Sequence, residues 1–229
     1  METSMLTLRT HFMRPLLLLL LAAAPASSQL FSFGLKGGVP LTDFVNAASG
    51  DTPSGFLYFA THTDRYIVGP TAELRLPFGL GIEVDVLYRH FNYQETMQGV
   101  DVLTSSSTTG NAWEFPLLGK YRFLRTKVVR PYIDAGVAFD TLQGLTQTVK
   151  NTLASGNTST TSSTGSPSQL LNNTTRGYVF GGGLDFKFLI LHIQPEIRYT
   201  RWGAEHFFDP SGLLHSNENQ GEFLLGVTF

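Results

Sequence analysis

The feature that most constrains the fold is a two-residue alternation, clearest in residues 221–229, which read Gly-Glu-Phe-Leu-Leu-Gly-Val-Thr-Phe. Large apolar side chains recur at Phe223, Leu225 and Val227 and end at Phe229. The intervening positions are mostly small or polar. Successive side chains of a β-strand point to opposite faces, so this pattern predicts a strand with an apolar medium on one side only. A terminal strand frays unless it is held, and we therefore expect pairing on both of its edges.

Seven further segments repeat the alternation: 31–41, 66–76, 82–89, 113–123, 132–139, 178–188 and 192–199. Each supplies about the 9 to 11 residues that a tilted strand needs to cross a hydrocarbon layer. Eight is also the smallest even number of strands in membrane barrels, and closure matters because open edges leave unpaired backbone groups in lipid. The sequence therefore predicts an all-β fold, an eight-stranded antiparallel up-and-down transmembrane β-barrel. Interior prolines at Pro70, Pro116 and Pro195 predict bulges or irregular pairing.

The connections between these segments alternate in length. Three are tight: 77–79, 124–128 and 189–190. Four are long: 46–65, 95–110, 150–174 and 203–219. In an up-and-down barrel with both ends in the periplasm, the long connections come first and face outward, which is the observed order. The third one is rich in Ser, Thr, Asn and Gly around residues 159–165, and we expect it to be a mobile loop.

If the aliphatic and aromatic face meets lipid, charged residues of both signs share the interior. We predict a lumen charge network made of Lys36, Glu73, Arg75, Glu83, Asp85, Arg89, Glu114, Lys120, Arg122, Asp134, Asp185, Lys187, Glu196, Arg198 and Glu222. Buried charges are tolerated only when they are paired, and an eight-stranded interior is just wide enough for side chains to fill it. The near balance of signs therefore favours a salt-bridged plug over a selective pore.

Aromatic residues of the outward face should form belts at the two membrane interfaces. Near the periplasmic end these are Phe31, Phe123, Phe188 and Phe229; near the outer end they are Tyr66, Trp113, Phe139, Tyr178 and Tyr199. Phe91 and Tyr93 break the apolar-out parity of their strand, which indicates a bulge or a position above the membrane. The inverse arrangement, a soluble barrel such as a lipocalin with an apolar interior, shows the same alternation. The terminal Phe, the uneven connections and the rim aromatics favour the membrane form.

Residues 1–26 are typical of a cleaved secretory signal peptide, which leaves 27–229 as the barrel domain. Arg9 and Arg14 give it a positive start, 16–24 is apolar, and 24–26 reads Ala-Pro-Ala. We therefore expect export and a location in the bacterial outer membrane.

Bulk properties exclude several classes of protein. A mean hydropathy of +0.02 argues against several membrane-spanning helices. The net charge of −2 and the lack of a basic cluster give no argument for nucleic acid, and the absence of cysteine excludes disulfides and thiolate zinc sites.

Together, the signal, the eight amphipathic strands, the alternating connections and the terminal Phe resemble the small bacterial outer-membrane β-barrel superfamily, similar to the OmpA membrane domain, OmpX and OmpW. The resemblance implies that Phe223, Leu225, Val227 and Phe229 form the membrane insertion signal read by the barrel-assembly machinery. It also implies periplasmic chaperones and outer-membrane lipid as partners, besides an extracellular ligand of the loops.

Three functions stay open at this point. The first is a non-catalytic integral outer-membrane protein of a Gram-negative-type envelope, which anchors polar loops for surface interaction or envelope integrity. The second is a porin-like narrow channel for small solutes. The third is a lipid-modifying enzyme, which would need a pair such as Asp209 with His206 or His215. We expect no enzyme activity, no cofactor and no metal, since no histidine shows a trustworthy metal-ligand spacing.

Overall fold

A computed structural model describes residues 30–53, 55–63, 65–123 and 128–229. The predicted signal peptide lies outside these residues. The strands are β1 (Phe31–Pro40), β2 (Val45–Ala47), β3 (Ser49–Thr52), β4 (Gly55–Thr63), β5 (Ile67–Arg75), β6 (Leu80–Asp85), β7 (Leu87–Gln98), β8 (Val102–Arg122), β9 (Val129–Leu153), β10 (Thr158–Thr164), β11 (Thr174–Phe188), β12 (Leu191–Trp202), β13 (Leu214–Ser216) and β14 (Asn219–Thr228). A short 3-10 helix, Pro77–Gly79, joins β5 to β6.

Eight wall strands close into one antiparallel barrel, as predicted. In order around the wall they are β1, β5, β6 continued by β7, β8, β9, β11, β12 and β14. The last strand pairs with both β12 and β1, which closes the sheet. At the seam, Phe33 N–H donates to Phe229 O at 3.1 Å, and Phe229 N–H donates back to Phe33 O at 3.0 Å. The terminal strand is therefore held on both edges.

The two faces of the wall differ in chemistry as the alternation predicts. Leu35 and Ile197 on the outside are each 63% exposed, whereas Arg198, on the inside, is 0% exposed. Glu83 and Arg122 also point inward and are buried. This arrangement excludes the soluble barrel with an apolar interior. Within the described residues, no helix has the length and apolar character needed to cross a membrane.

The outward aromatic residues lie toward the two ends of the wall. At one end, the rings of Tyr66 and Tyr88 are 6.3 Å apart and those of Tyr88 and Trp113 are 5.1 Å apart, across three neighbouring wall strands. At the other end, Tyr121 and Phe123 lie edge to face at 5.1 Å. We call the first group the outer aromatic belt. Amphipathic rings favour the interface between lipid and water, so the belts bound the membrane-spanning part of the barrel.

The three wall prolines interrupt the ladder without shifting its register. Thr71 pairs with Asp85 and Val68 pairs with Tyr88, which is one continuous register across Pro70. Val86 N–H donates to Pro70 O at 3.0 Å, but Pro70 has no N–H to return. The expected irregular pairing is therefore a missing hydrogen bond, not a bulge.

The described short connections, the start of β1 and the C-terminal end of β14 lie at one end of the barrel, the turn end, and the long connections lie at the other, the loop end. Much of the first three long connections is strand, contrary to the expectation of loops, whereas the fourth, 203–219, contains only the short β13 and the start of β14. Strands β7, β8 and β9 continue beyond the outer aromatic belt. There β4 pairs with β7, β3 pairs with β4, and β10 pairs with β9. We call this sheet the loop-end extension.

The Ser/Thr-rich stretch around 159–165 forms strand β10, where its composition predicts a loop. Strand β10 pairs with β9 from Thr158↔Thr152 to Thr164↔Thr146. Threonine is β-branched and suits extended backbone, so a run of Thr and Ser beside an existing strand continues the sheet.

A β-bulge at Gly144 links the membrane wall to the loop-end extension. The β8–β9 register shifts between Thr109 and Asn111, and Gly144 has a φ of +62°, a backbone conformation that favours glycine. The extra residue reverses the face of the following side chains, so that Leu145 is buried inside. Without the bulge, Leu145 would point outward.

A first prediction concerns the closing seam. A Cβ on Gly34 would overlap Val227 O and lie 2.7 Å from Thr228 Cα, so Gly34→Ala should push β1 away from β14. We expect a loss of about 1–3 kcal/mol in unfolding free energy, measured by urea titration of the refolded barrel. Gly37→Ala is the control, because its Cβ would meet only Ile67 O at 3.6 Å. Equal stability of the two variants would contradict close approach at the seam.

Candidate functional site: the closed lumen

The lumen charge network begins near the turn end with Arg122. Its guanidinium donates to both oxygens of Glu73, at 2.5 and 2.7 Å, and through Nε to Asp185 at 3.0 Å. Arg130, which the sequence analysis did not include, also donates to Asp185, at 2.9 Å. Two-pronged Arg–carboxylate pairs are strong and fix orientation, so this cluster braces neighbouring wall strands from within.

His192 lies in this cluster between an arginine and a carboxylate, and Arg130 Nη2 is also 3.4 Å from its Nδ1. Its Nε2 lies 3.0 Å from Arg75 Nη1, and its Nδ1 lies 2.7 Å from Asp185 Oδ1. An arginine offers only donors, so Nε2 accepts and the ring proton sits on Nδ1, from which it is donated to Asp185. Arg75 also donates to Ser32 at 3.2 Å. His192 therefore serves as a hydrogen-bonded link in the network.

The centre of the lumen is a set of three bases and three acids. Lys36 contacts Glu83 at 2.5 Å and both Asp85 and Glu196 at 3.1 Å, which matches the three donors of an ammonium group. Arg198 contacts Glu196 at 2.7 Å and Asp85 at 2.9 Å.

Lys120 completes the central set. It donates to Glu83 and lies 4.2 Å from the centre of the Tyr132 ring. All six charged side chains are buried, and each lies within hydrogen-bond distance of a side chain of opposite charge. Buried charges are stable only when they are paired in this way.

Near the loop end, one arginine faces three carboxylates. Arg89 lies 3.2 Å from Asp140, 3.5 Å from Glu222 and 3.9 Å from Glu114. His206 approaches the same Asp140 at 3.4 Å. Acidic groups therefore outnumber basic groups at this level, whereas Arg75, Arg122 and Arg130 outnumber their acids near the turn end.

Most predicted network residues share the lumen, but one does not. Lys187 is exposed near the turn between β11 and β12, and none of the ion pairs found among the described residues includes it. The alternation placed it inward, but the strand reaches the barrel rim there, so its side chain meets solvent. Asp134 is buried, yet both of its oxygens lack a hydrogen-bond partner in the part of the chain that the structure describes. Asp140 and Arg130 are additional members, which lie just outside the segments used for the prediction.

An apolar plug covers the charge network at the loop end. Its members are buried side chains from the wall and from the connections at the mouth: Phe44, Val45, Leu57, Phe59, Phe91, Tyr93, Ala112, Leu142, Leu145, Phe207 and Leu214. Phe44 packs on Phe91 at 4.7 Å between ring centres, and Phe91 packs on Phe207 at 5.6 Å.

The plug is anchored to the network below it and held in place from both sides of the mouth. The Arg89 guanidinium lies 4.6 Å above the Phe44 ring, a cation–π contact. Strands β2 and β13, from opposite ends of the chain, pair across the mouth.

The plug explains Phe91 and Tyr93. Both follow the inward face set by Leu87 and Arg89, so the parity of β7 does not break; the surroundings of that face change from charged to apolar. The indicated bulge in this strand is therefore wrong, whereas a position beyond the outer aromatic belt is right. The sequence signal for a plug was therefore the pair of inward aromatic residues, Phe91 and Tyr93, at the outer end of a wall strand. Phe44 and Phe207 lie in connections, where the alternation carries no information.

A polar rim lies on top of the plug, outside the membrane-spanning part of the barrel. Gln169 donates to Glu95 at 2.7 Å and accepts from Tyr93 at 3.3 Å. Burial, with a smaller effect of the Asp209 carboxylate, raises the pKa of Glu95 above its usual value, against the opposing effect of the Gln169 hydrogen bond. Burial raises the pKa of Tyr93 to about 12. This rim keeps water-facing polar groups bonded to one another above the aromatic rings.

The residues considered for catalysis have other partners. His206 contacts Asn172 O at 2.8 Å and Thr175 at 3.3 Å, and His215 contacts Asn46 at 3.2 Å. Asp209 accepts from Ser211. Among the described residues, no group of three or more His, Cys, Asp or Glu side chains has the geometry to hold a metal ion.

Comparison with family models decides the membership of the chain. Residues 25–208 match the model described as "Outer membrane protein beta-barrel domain", which covers well over half of the sequence. The chain belongs to this family of outer-membrane β-barrel proteins. Its place is therefore the outer membrane, as predicted. A search of curated proteins by sequence found no match.

Several solved structures are similar to this outer-membrane barrel. Neisserial surface protein A is 14% identical, with 86% of this chain and 95% of that chain covered and a TM-score of 0.40. OprG from Pseudomonas aeruginosa is 14% identical, with 87% and 93% covered and a TM-score of 0.47. The N-terminal barrel of OprF from Pseudomonas aeruginosa is 14% identical, with 86% and 96% covered and a TM-score of 0.36.

A second prediction tests the network of this outer-membrane barrel. Arg198→Met should leave the Asp85 and Glu196 carboxylates with Lys36 as their one remaining cation within 4 Å among the described residues. We expect a cost of about 3–5 kcal/mol of unfolding free energy, because two buried charges lose a partner. Urea unfolding, followed by the heat-dependent shift in gel migration, measures the loss.

Arg201→Met on the same strand is the matched control. Arg201 is exposed and pairs with Glu218 at 2.8 Å, so its removal should cost less than about 1 kcal/mol. Losses of similar size in the two variants would mean that the central charges are not held in a dry network.

Proposed function

We propose that this barrel is a closed, non-catalytic anchor that holds the loop-end extension outside the cell for surface interaction. The observation that carries the proposal is the double closure of the lumen. The charge network lies across the wall-bound interior, and the apolar plug covers its outer mouth.

The plug supports this function because hydrated ions need a polar path. A solute entering from the loop end would have to part Phe44, Phe91 and Phe207, whose side chains are at most 1% exposed. Below them it would have to break contacts among Lys36, Arg198 and their acids, which is costly in a dry interior.

A narrow conduit for small cations is the alternative function. In its favour, carboxylates exceed bases around Arg89. The buried oxygens of Asp134 and Glu222 also lack hydrogen-bond partners among the described residues, which leaves them able to bind a cation. Conductance decides between the two functions. For the enzyme hypothesis, the contacts of His206, His215 and Asp209 give no specific support.

The third prediction is the absence of conduction. Refolded wild-type protein added to a planar bilayer should produce no discrete current steps at neutral pH in molar potassium chloride. The physical reason is the plug above a paired network. Reproducible steps from the wild type would establish the conduit instead.

Cysteine labelling checks the same closure without a current measurement. The chain has no cysteine, so single substitutions report cleanly. Gln194→Cys, in the lumen and 1% exposed in the wild type, should resist a charged thiol reagent in the folded state. Thr96→Cys on the outside of the loop-end extension should react readily. Rapid labelling of both would show that the lumen is open to solutes.

For assembly, we infer that Phe223, Leu225, Val227 and Phe229 are the insertion signal read by the barrel-assembly machinery. These four side chains all face outward, and their strand forms the closing seam with β1. On this proposal, residues 1–26 direct export and are removed, and periplasmic chaperones carry the unfolded chain to the membrane.

The fourth prediction separates this signal from stability. Phe229→Ala should reduce the amount of folded barrel in the outer membrane several-fold in cells, because the recognised aromatic is lost. The purified variant should refold in detergent almost as the wild type does, since the seam hydrogen bonds are backbone bonds. Phe188→Ala, another exposed aromatic at the turn end, is the control. Equal amounts of folded barrel from the two variants would contradict the proposed insertion signal.

A further inference from the structure

The outward face of the wall changes its chemistry above the outer aromatic belt. On β8, Phe115 and Leu117 face lipid, whereas Ser105, Ser107 and Thr109 occupy the same face farther along the strand. The β7–β8 ladder runs from Leu87↔Glu114 to Gln98↔Leu103 without a shift, so this is one continuous face.

Neighbouring strands place matching side chains beside these hydroxyls. One row crosses five strands as Tyr58, Thr96, Ser105, Lys150 and Thr160. Directly opposite residues share a face, so all of these side chains point outward together.

The next row contains Gln94, Ser107, Thr148 and Ser162. A third pairing, Thr109↔Thr146, lies nearest the membrane. We call these residues, from Gln94 to Ser162 with Tyr58, the hydroxyl face.

The bulge at Gly144 is what keeps this face continuous. Before the bulge, Phe139 faces outward on β9, and after it Thr146 and Thr148 do so, although the parity of their numbers differs. The register shift therefore places the β9 hydroxyls on the same side of the sheet as those of β8 and β10, which a chance cluster of Ser and Thr would not require.

The polar groups of the hydroxyl face have bonding capacity to spare. Thr148 Oγ1 lies 3.2 Å from Ser162 Oγ, one bond where each hydroxyl offers a donor and two acceptor sites. Tyr58, at one side of the array, is 50% exposed and presents an aromatic surface. Hydroxyl and amide groups beside an open aromatic ring suit a sugar, which has hydroxyls at its edges and a C–H face that stacks on rings.

The charge of the face also suits a glycan that carries phosphate. The hydroxyl face contains Lys150 and no Asp or Glu among its residues. An anionic substituent therefore meets a cation and no repulsion.

We propose that the hydroxyl face binds the sugar headgroups of glycolipids in the outer leaflet of the same membrane. The face is continuous with the lipid-facing wall and begins directly beyond the belt. Ser105 is eight residues past Trp113, which places it about 20 Å above the belt for a tilted strand. Membrane glycans occupy this zone, so a lateral face at this height meets them. The inference rests on the proposed anchor function and names its partner.

The fifth prediction uses the full barrel in detergent micelles and two lipopolysaccharides as probes: one with a complete core oligosaccharide and one truncated to lipid A with its innermost sugars. Wild-type protein should bind the complete form about tenfold more tightly, since several hydrogen bonds and a ring contact depend on the sugars. Retained lipid per protein after gel filtration, over a range of lipid concentrations, gives the affinity.

Matched variants assign the effect to the face. Tyr58→Ala with Thr96→Val and Thr148→Val should bind both lipids equally, and valine preserves the strand because it is β-branched. Thr104→Val with Thr161→Val alters the opposite face of the same sheet and should keep the wild-type preference. Heat-dependent gel migration verifies that every variant is folded.

Each result bears on the assignment. Equal binding of both lipids by the wild type, or an unchanged preference in the hydroxyl-face variant, would overturn it. Soluble core oligosaccharide that binds as tightly as the complete lipid would also overturn it, since the ligand would then be a free glycan. A dimer that forms without lipid would do the same, since a second copy would then occupy the face. None of these outcomes affects the conductance test, so the closed-barrel proposal fails or stands separately.

Discussion

The backbone hydrogen bond in a medium without water is the constraint on which this structure depends. Each unpaired N–H or C=O in lipid costs several kcal/mol, so the sheet must close on itself. Pairing of β14 with both β1 and β12 achieves this. The closed wall then divides space into an outside that must be apolar and an inside that must be filled.

The filling follows two different rules along the barrel axis. Within the membrane, the interior is polar, and charges are stable there because Lys36, Arg122 and Arg198 each touch two or more carboxylates. Beyond the outer belt, the interior becomes an apolar core like that of a soluble protein, built on Phe44, Phe91 and Phe207. The outward face of the wall changes the other way at the same height along the barrel axis, from aliphatic side chains to side chains with hydroxyl groups. A single change of solvent at the belt accounts for both inversions.

The loop-end extension is the part of the fold that bears most directly on the proposed function. A membrane barrel that only needed to insert could end at the belt, but β7, β8 and β9 continue beyond it and carry β4 and β10. The plug gives that extension its own buried core, and the bulge at Gly144 keeps its outer face in register with the wall. Under the anchor function that we propose, the extension is a platform that the plugged barrel holds outside the membrane for contact.

The wall can be predicted from the sequence: strand number, closure, which face meets lipid and most of the charges that lie inside follow from a two-residue period, because that period is local. The alternation mispredicts residues whose surroundings depend on distant parts of the chain. Lys187 obeys the alternation yet lies at a rim, and Asp140 and Arg130 join the network because the strands are longer than their apolar stretch. The Ser/Thr-rich segment became strand β10 only because β9 offers an open edge.

The closure of the mouth depends on contacts between distant parts of the chain. Phe44 and Phe207 are far apart in the chain and have no periodic neighbours, and they meet because β2 pairs with β13 over the inward-facing Phe91. The partners of each charge were equally beyond the sequence. Equal numbers of acids and bases predict pairing, but which carboxylate lies 3 Å from which cation depends on register and tilt around the whole barrel.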